Sequence, residues 1–322
     1  MKNILTPAAV VCLAVGATAQ TLVVYPINGE PIVYQASEID HIEFVPATGD
    51  EEDKPLEVYE LWSQRGDYRI YGKMYRPALT ADKPLPTVIL SHSASLTADA
   101  MNAYATAIAE AGYCAYAFDF CGACDSSRSD GSTDEMTVFT EVDDLRAVID
   151  CMRQQPGVDS DHIFLLGSSQ GGLVSALTAE DAGIDIAGMI LFYPAFNIPD
   201  LIAMMDQFGG FGGGSFGGSF GMGYSEAFCN AMRGYDVYAN IGTFSRPLII
   251  VHGSQDMIVN ISYSEQAVAT YPNATLYTIQ GANHGFNSDN LGSFGSMMGN
   301  TANYDNQVIP IVLDYLRSRL NN

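Results

Sequence analysis

Basic residues are scarce in this chain. Its 322 residues include 14 Lys and Arg against 37 Asp and Glu, for a formal net charge of −23. A surface of that sign repels phosphate backbones and anionic lipid head groups, which argues against nucleic-acid and membrane partners. The same charge favours a soluble protein that acts on a neutral small molecule or oligosaccharide.

Long apolar runs are also rare. The apolar stretch at residues 4–15 is too short to span a bilayer comfortably. Lys2 precedes it and Ala17-Thr18-Ala19 follows it, a small-x-small cleavage pattern. Residues 1–19 are therefore predicted to be a cleavable signal peptide, which implies a secreted or periplasmic protein. A buried N-terminal helix is the alternative.

The number and spacing of the cysteines argue against most kinds of metal site. Five of the six cysteines lie beyond the predicted signal peptide, and an odd number leaves at least one thiol unpaired in an exported protein. Cys121 and Cys124 have the spacing of half a zinc or redox site, but no second pair or nearby His completes a tetrahedron. We expect no metal, and either a local disulfide or two thiols in a loop.

The chain divides near residue 56. Between residues 20 and 55, short alternating strands flank Asn28-Gly29, a third follows at residues 39–44, and an acidic linker ends the segment. This predicts a small N-terminal β appendage. From residue 56 to 322, continuous apolar strands alternate with helical patterns, which indicates an α/β domain whose mostly parallel sheet has helices on both faces.

A tight turn in this domain carries the strongest chemical pattern. The apolar run at residues 162–166 leads into Gly167-Ser-Ser169-Gln-Gly171, and a helical pattern follows. This strand–turn–helix order predicts a nucleophile elbow, in which small glycines let strand and helix pass closely and the central serine adopts a strained backbone. Ser169 is the predicted nucleophile; a merely structural Gly/Ser turn is the alternative.

A serine hydroxyl needs an aligned base, usually histidine. The chain has five histidines. His41 belongs to the appendage, His162 opens the elbow strand at its far end, and His92 and His252 follow strands where a structural role is expected. His284 lies in a loop after the last strand, at the sheet edge where the parallel strands end. It is the predicted base.

The carboxylate that orients the base should come from another strand end. Asp256 follows the apolar strand at residues 248–252, with Met257-Ile258-Val259 behind it. We predict that Asp256 orients His284, with a surface turn residue as the alternative. The oxyanion hole requires two backbone N–H groups. Gln170 supplies the first, and Ala94 is chosen for the second, with Ser93 as the neighbouring alternative.

An irregular insertion covers about residues 196–245. Its residues 208–223 hold nine glycines and four phenylalanines, a density at which one backbone conformation is costly to fix. It is either a flexible surface loop or a mobile apolar cap over the active site that offers Phe and Met to an acyl or aromatic group. A similar stretch follows at residues 291–299.

These motifs together resemble a known family. The chain is similar to the α/β-hydrolases, and within that fold to bacterial cinnamoyl/feruloyl esterases and prolyl-oligopeptidase-like serine hydrolases. The resemblance covers about residues 56–320 and rests on Leu90-Ser91-His92-Ser93, Phe118-Asp119-Phe120-Cys121-Gly122, Asp134-Glu135-Met136-Thr137-Val138, the elbow, Tyr193-Pro194-Ala195, His252-Gly253-Ser254-Gln255-Asp256, Tyr271-Pro272-Asn273-Ala274 and Gly281-Ala282-Asn283-His284-Gly285-Phe286.

The resemblance implies an α/β-hydrolase fold with a catalytic triad at Ser169, Asp256 and His284, an inserted cap that shapes acyl specificity, and neither cofactor nor metal. The chain departs from the family at His92-Ser93, where His-Gly is usual. We expect a secreted serine hydrolase of carboxylic esters, plausibly acyl or hydroxycinnamoyl (feruloyl) esters of plant carbohydrate. A serine aminopeptidase of the same fold and a non-catalytic binding protein on this scaffold are the alternatives.

Overall fold

The computed structural model describes residues 9–11, 21–26, 32–35, 56–78, 84–207, 224–286 and 302–320. The chain separates into two compact units, Met1–Lys54 and Pro55–Asn322.

The N-terminal unit contains a three-stranded antiparallel sheet of β1 (Ala9–Val11), β2 (Thr21–Pro26) and β3 (Ile32–Gln35), in that order. The strands predicted on either side of Asn28-Gly29 thus pair with each other. β1 falls within the segment predicted to be the signal peptide, which stays a prediction. The third strand expected at residues 39–44 lies outside the described residues.

The large unit is organised around an eight-stranded sheet. Its strands are β4 (Leu56–Arg65), β5 (Tyr68–Pro77), β6 (Leu85–Ser91), β7 (Cys114–Phe118), β8 (Val158–Ser168), β9 (Gly188–Phe192), β10 (Leu248–Gly253) and β11 (Ala274–Ile279). Their order is β11-β10-β9-β8-β6-β7-β5-β4. β5 pairs antiparallel with β4 and β7, and the other neighbours pair parallel, which confirms the mostly parallel sheet.

Helices cover both faces of this sheet, as predicted. They are α1 (Asn102–Glu110), α2 (Val138–Arg153), α3 (Gln170–Ala179), α4 (Ile198–Gln207), α5 (Glu226–Met232), α6 (Ser262–Thr270) and α7 (Asp305–Leu320). A 3₁₀ turn, Ala98–Met101, precedes α1. Side chains of α1 and α7 pack with one face, and those of α2 to α6 with the other. No helix in the described part of the chain has both the length and the apolar character to cross a membrane.

The insertion is more regular than its sequence indicated. We expected no regular structure between about residues 196 and 245, yet α4 and α5 lie there. Pro199 stands in the first turn of α4, where its fixed φ and missing N–H are tolerated. The Ser225 hydroxyl caps α5 by accepting the Phe228 N–H at 3.1 Å. These two start patterns were overlooked because the glycines dominate the composition. The Gly/Phe-rich residues 208–223 lie outside the described residues.

Candidate active site

Ser169 lies at a sharp turn between β8 and α3. Its backbone has φ 51° and ψ −115°, a left-handed φ that residues other than glycine rarely adopt. The flanking glycines permit this turn: a Cβ on Gly167 would strike the backbone of Gly171, and a Cβ on Gly171 would strike the backbone of Ser91. The strain is kept because strand, helix and loop enclose the turn on all sides. The geometry is that of the predicted elbow.

The loops after β10 and β11 bring the other two predicted side chains to this turn. His284 Nε2 lies 3.1 Å from Ser169 Oγ, and His284 Nδ1 lies 2.7 Å from Asp256 Oδ2. All three residues are nearly buried, with 7 %, 4 % and 9 % of the surface of Ser169, His284 and Asp256 exposed. Nδ1–H therefore donates to the carboxylate, which leaves Nε2 free to accept the serine proton.

Asp256 is held as a carboxylate. Its Oδ1 accepts the backbone N–H groups of Ile258 at 2.8 Å and Val259 at 2.9 Å. Burial alone would raise the pKa of Asp256, but the neighbouring imidazoles of His284 and His252 outweigh it and hold that pKa below its usual range. Asp256 is therefore ionised at neutral pH and fixes the tautomer of His284.

Asn283 ties the two loops together. Its side-chain oxygen accepts the backbone N–H of Met257 at 3.2 Å and that of His284 at 2.8 Å. The Gln255 N–H also donates to the Ala282 carbonyl at 2.9 Å. These bonds fix the carboxylate loop relative to the imidazole loop.

His252 has a closer relation to the site than sequence analysis indicated. Its Nε2 lies 3.2 Å from Asp256 Oδ2 and 2.9 Å from the Val259 carbonyl, and its Nδ1 lies 2.7 Å from Ser264 Oγ. Because both oxygens near Nε2 are acceptors, Nε2 carries the proton and Nδ1 accepts from Ser264. The His252 N–H is thus bonded to the Val259 carbonyl and also lies next to the Asp256 carboxylate. The spacing of four residues between His252 and Asp256 was the only indication in the sequence.

The two predicted oxyanion donors belong to the first turn of α3 and to the loop after β6. Gln170 opens α3, so its N–H has no intrahelical acceptor. Ala94 lies in a turn after β6, in which the Leu96 N–H donates to the Ser93 carbonyl at 3.2 Å. Ser93 replaces the expected glycine, and its hydroxyl is turned to Ser168 Oγ at 3.0 Å. The Ser93 side chain is thereby accommodated away from the turn.

Aromatic side chains pack against the imidazole of His284. The Tyr193 ring centroid lies 4.4 Å from that of His284, and Phe286 packs edge-on against Tyr193 at 4.8 Å. Both aromatic residues have positive φ, 36° at Tyr193 and 60° at Phe286. Burial raises the pKa of the Tyr193 phenol, while the hydroxyls of Ser168 and Ser93 act in the opposite direction. This phenol therefore stays protonated.

Cysteine and metal chemistry are not evident around this site. Cys121 and Cys124 are free thiols, as are Cys114, Cys151 and Cys229. Within the described residues, no group of three His, Cys, Asp or Glu side chains is arranged to hold a metal ion. The arrangement of hydroxyl, imidazole and carboxylate can deprotonate a serine and carry out acyl transfer with its own groups.

Comparison with known proteins identifies the fold. Residues 82–211 match the Hydrolase_4 model, described as serine aminopeptidase, S33. Est1E from Butyrivibrio proteoclasticus, solved with ferulic acid bound, superposes with a TM-score of 0.65 at 20 % identity, over 81 % of this chain and 100 % of that one. The fold is that of an α/β-hydrolase.

Other neighbours share this α/β-hydrolase fold. The Pyrococcus furiosus esterase Pf2001 has a TM-score of 0.58 at 18 % identity, over 82 % of this chain and 93 % of that one. A monoacylglycerol lipase from Paleococcus ferrophilus has a TM-score of 0.56 at 16 % identity, over 78 % and 99 %. No curated protein matches the chain by sequence. These structural neighbours therefore agree with Est1E on the fold.

Proposed function

We propose that this α/β-hydrolase is a secreted enzyme that cleaves carboxylic esters through an acyl-enzyme. His284 takes the proton of Ser169 as its oxygen attacks the ester carbonyl, and Asp256 stabilises the imidazolium. The N–H groups of Gln170 and Ala94 hold the oxyanion. His284 then protonates the leaving alcohol and activates a water that releases the acid.

The hydrogen-bonded series from Asp256 to Ser169 carries this proposal. Its two links, 2.7 Å and 3.1 Å, are within the range required for proton transfer. The serine also has the strained backbone of a nucleophile elbow, which a structural turn would not need. These features argue against the second alternative, a non-catalytic binding protein on the same scaffold.

Removing the nucleophile tests the proposal. Ser169→Ala should abolish hydrolysis of p-nitrophenyl acetate without lowering the unfolding temperature by more than a few degrees. Ser175→Ala is the matched control, because Ser175 is buried in α3 and its hydroxyl has no hydrogen-bond partner in the described part of the chain. If the Ser169 variant keeps most of its activity, the nucleophile is misassigned.

The acyl group is the finer part of the proposal. We infer acyl or hydroxycinnamoyl esters of plant carbohydrate, because the insertion brings aromatic side chains to the α2 side of the domain. Tyr224 stacks on Phe228 with centroids 4.0 Å apart, and Phe139 packs against Tyr235 at 5.4 Å. Parallel assays of acetyl, butyryl and feruloyl esters test it: a feruloyl kcat/KM below that of acetyl would exclude the hydroxycinnamoyl preference.

A serine aminopeptidase is the second candidate, favoured by the description of the matching family model. An aminopeptidase requires a carboxylate that can reach the free amine of its substrate. Glu141 is the acidic side chain next to Gln170, but it is 1 % exposed and bonded to that glutamine. This supports the esterase. Comparing a p-nitrophenyl ester with an aminoacyl p-nitroanilide separates the two candidates.

Export is part of the same proposal. The basic start, short apolar run and Ala-x-Ala pattern of residues 1–19 support a cleaved signal peptide. N-terminal sequencing of the protein recovered from the culture medium or periplasm should begin at Gln20. A cell-associated protein that begins at Met1 would contradict export.

A further inference from the structure

The apolar face of α2 contains two buried carboxyl groups that the proposed mechanism does not use. Glu141 and Asp144 lie among the core residues Val142, Leu145 and Val148, with 1 % and 0 % of their surfaces exposed. A charge buried on an apolar helix face is costly unless it is paired. Each of these carboxyls therefore requires an explanation.

Asp144 has the partners that an ionised carboxylate needs. Arg65 Nε lies 2.5 Å from its Oδ1, and the Cys121 N–H donates to its Oδ2 at 2.8 Å. This pair links α2 to β4 and to the loop after β7. Its role is structural, and it gives a matched comparison for Glu141.

Glu141 has no such cation. Its two oxygens each lie 2.8 Å from Gln170 Nε2, and no positively charged group of the described residues forms an ion pair with it. Burial raises the pKa of Glu141 well above its usual range, the Gln170 amide offsets part of that rise, and Asp144 adds to it. Burial without a cation therefore favours the protonated form of Glu141.

The Gln170 amide acts as a donor in this contact. Its Nε2 lies 2.8 Å from both carboxyl oxygens of Glu141. Its Oε1 is buried and without a partner in the described part of the chain. The Gln170 side chain is therefore held through the hydrogen bonds that Glu141 accepts.

Gln170 is also the residue that directly follows the nucleophile. Its backbone N–H is one of the two proposed oxyanion donors, and its side chain is anchored through Glu141 to a second helix. A donor that is fixed before reaction stabilises the developing negative charge without reorganisation. A neutral anchor avoids placing a second negative charge near that oxygen.

We propose that Glu141 is the positioning residue of the oxyanion hole and fixes the first turn of α3 through the side chain of Gln170. This rests on the proposed function, since it assigns the Gln170 N–H to an oxyanion. It predicts that an isosteric neutral amide can replace the acid, whereas an apolar side chain cannot.

Four variants test it: Glu141→Gln, Glu141→Leu, Glu141→Ala and, as the matched control, Asp144→Asn. For each, kcat and KM are measured with p-nitrophenyl acetate. The Ki is measured for an aryl trifluoromethyl ketone, whose carbonyl carbon adds Ser169 Oγ while the serine proton passes to His284. The resulting hemiketal oxyanion is stabilised by the same N–H donors as the transition state, so Ki reports on these donors. KM does not depend on them.

Glu141→Gln should keep kcat and Ki within about 3-fold of the wild type. Glu141→Leu and Glu141→Ala should lower kcat about 10-fold and raise Ki about 10-fold, with KM changed less than about 2-fold. Asp144→Asn should lower the unfolding temperature but leave the ratio of Ki to KM unchanged. If the Leu variant does not fold, the Ala and Gln variants still decide between these outcomes.

Two results would overturn the inference. In one, the apolar variants keep the wild-type Ki. In the other, Glu141→Gln is impaired as strongly as Glu141→Ala, so that an acceptor oxygen at position 141 does not hold Gln170. Failure of the proposed function would look different. The wild type and Ser169→Ala would then be equally inactive toward the ester, and the ketone would bind to neither protein.

Discussion

The surroundings of two buried carboxyl groups near the nucleophile shift their pKa values in opposite directions. On the base side, Asp256 accepts two backbone N–H groups and the imidazole N–H of His284, and His252 Nε2 lies 3.2 Å from it. On the oxyanion side, Glu141 accepts from the amide of Gln170. The two imidazoles outweigh burial and hold the pKa of Asp256 below its usual range, whereas burial raises the pKa of Glu141 above its own.

The largest loss of activity is expected from a substitution on the base side, at Asp256. Asp256→Asn removes the charge and presents an amide to His284, which disturbs the tautomer needed to accept the serine proton. We expect kcat for p-nitrophenyl acetate to fall about 10³- to 10⁴-fold. The corresponding change on the other side, Glu141→Gln, is its control and should be nearly silent. Equal losses in both variants would show that the two carboxyls do not differ in charge.

A smaller loss is expected from the second imidazole. His252→Leu removes the imidazole that lies 3.2 Å from Asp256 and leaves the three hydrogen bonds that Asp256 accepts from Ile258, Val259 and His284. We expect kcat to fall about 10-fold with KM unchanged, since one charge-assisted hydrogen bond contributes about 1.5–3 kcal/mol. His252→Gln, which retains an N–H donor, should recover part of the loss. Wild-type kcat in the Leu variant would show that His252 is only a packing residue.

Stability should depend on pH in opposite directions for the two acids. The pKa of Glu141 is raised in the folded protein above the unfolded value of about 4.3. Above about pH 4.3 the unfolded chain therefore loses this proton first, and the stability of the wild type falls as the pH rises, by up to about 1.4 kcal/mol per unit. Glu141→Gln cannot titrate, so its stability relative to wild type should increase between about pH 4.5 and pH 6.5 in urea unfolding.

For Asp256, urea unfolding should show the opposite dependence of stability on pH. Its folded pKa lies below the unfolded value of about 3.9. Its contribution is therefore fully present above about pH 4 and is lost as the pH falls through the folded pKa. The stability of Asp256→Asn relative to wild type should thus decline as the pH rises from about 2 to 4. Parallel pH curves for wild type and both variants would contradict the assignment of charge.

The smallest loss of activity is expected at Tyr193, which contacts His284 on the base side and lies near Ser93 on the oxyanion side. The Tyr193 ring packs on His284, and its phenol lies near Ser93 and Ser168. Tyr193→Phe keeps the ring and removes only the hydroxyl, so kcat should change less than about 3-fold and the unfolding free energy by about 1 kcal/mol. A larger loss of kcat, checked with the same ester, would show that the phenol and not the ring acts on the site.

The sequence was informative wherever local geometry and topology sufficed. Gly167 and Gly171 are required by close backbone approach, so their spacing around Ser169 identified the elbow. Parallel strands end at one edge of the sheet, so the loops that carry Asp256 and His284 could be expected to meet there. The fold class followed from the same alternation of strands and helices.

The sequence could not show which group would lie next to each buried polar side chain. Glu141 and Asp144 are both acids on one helix face, and only the tertiary positions of Arg65 and Gln170 give Asp144 a cation and Glu141 an amide. His252 was expected to be structural because its contact with Asp256 depends on how the loop after β10 folds back. The helices α4 and α5 were missed because the neighbouring glycines obscured their short patterns.

The central claim is that Ser169 is a nucleophile activated by His284, and mapping a covalent adduct tests it most directly. The protein is reacted with a fluorophosphonate, digested, and the modified residue located by mass spectrometry. We predict one adduct, on Ser169, formed much more slowly in His284→Ala and absent in Ser169→Ala. An adduct on Ser93 or Ser168 instead, or no adduct in the folded wild type, would contradict the account.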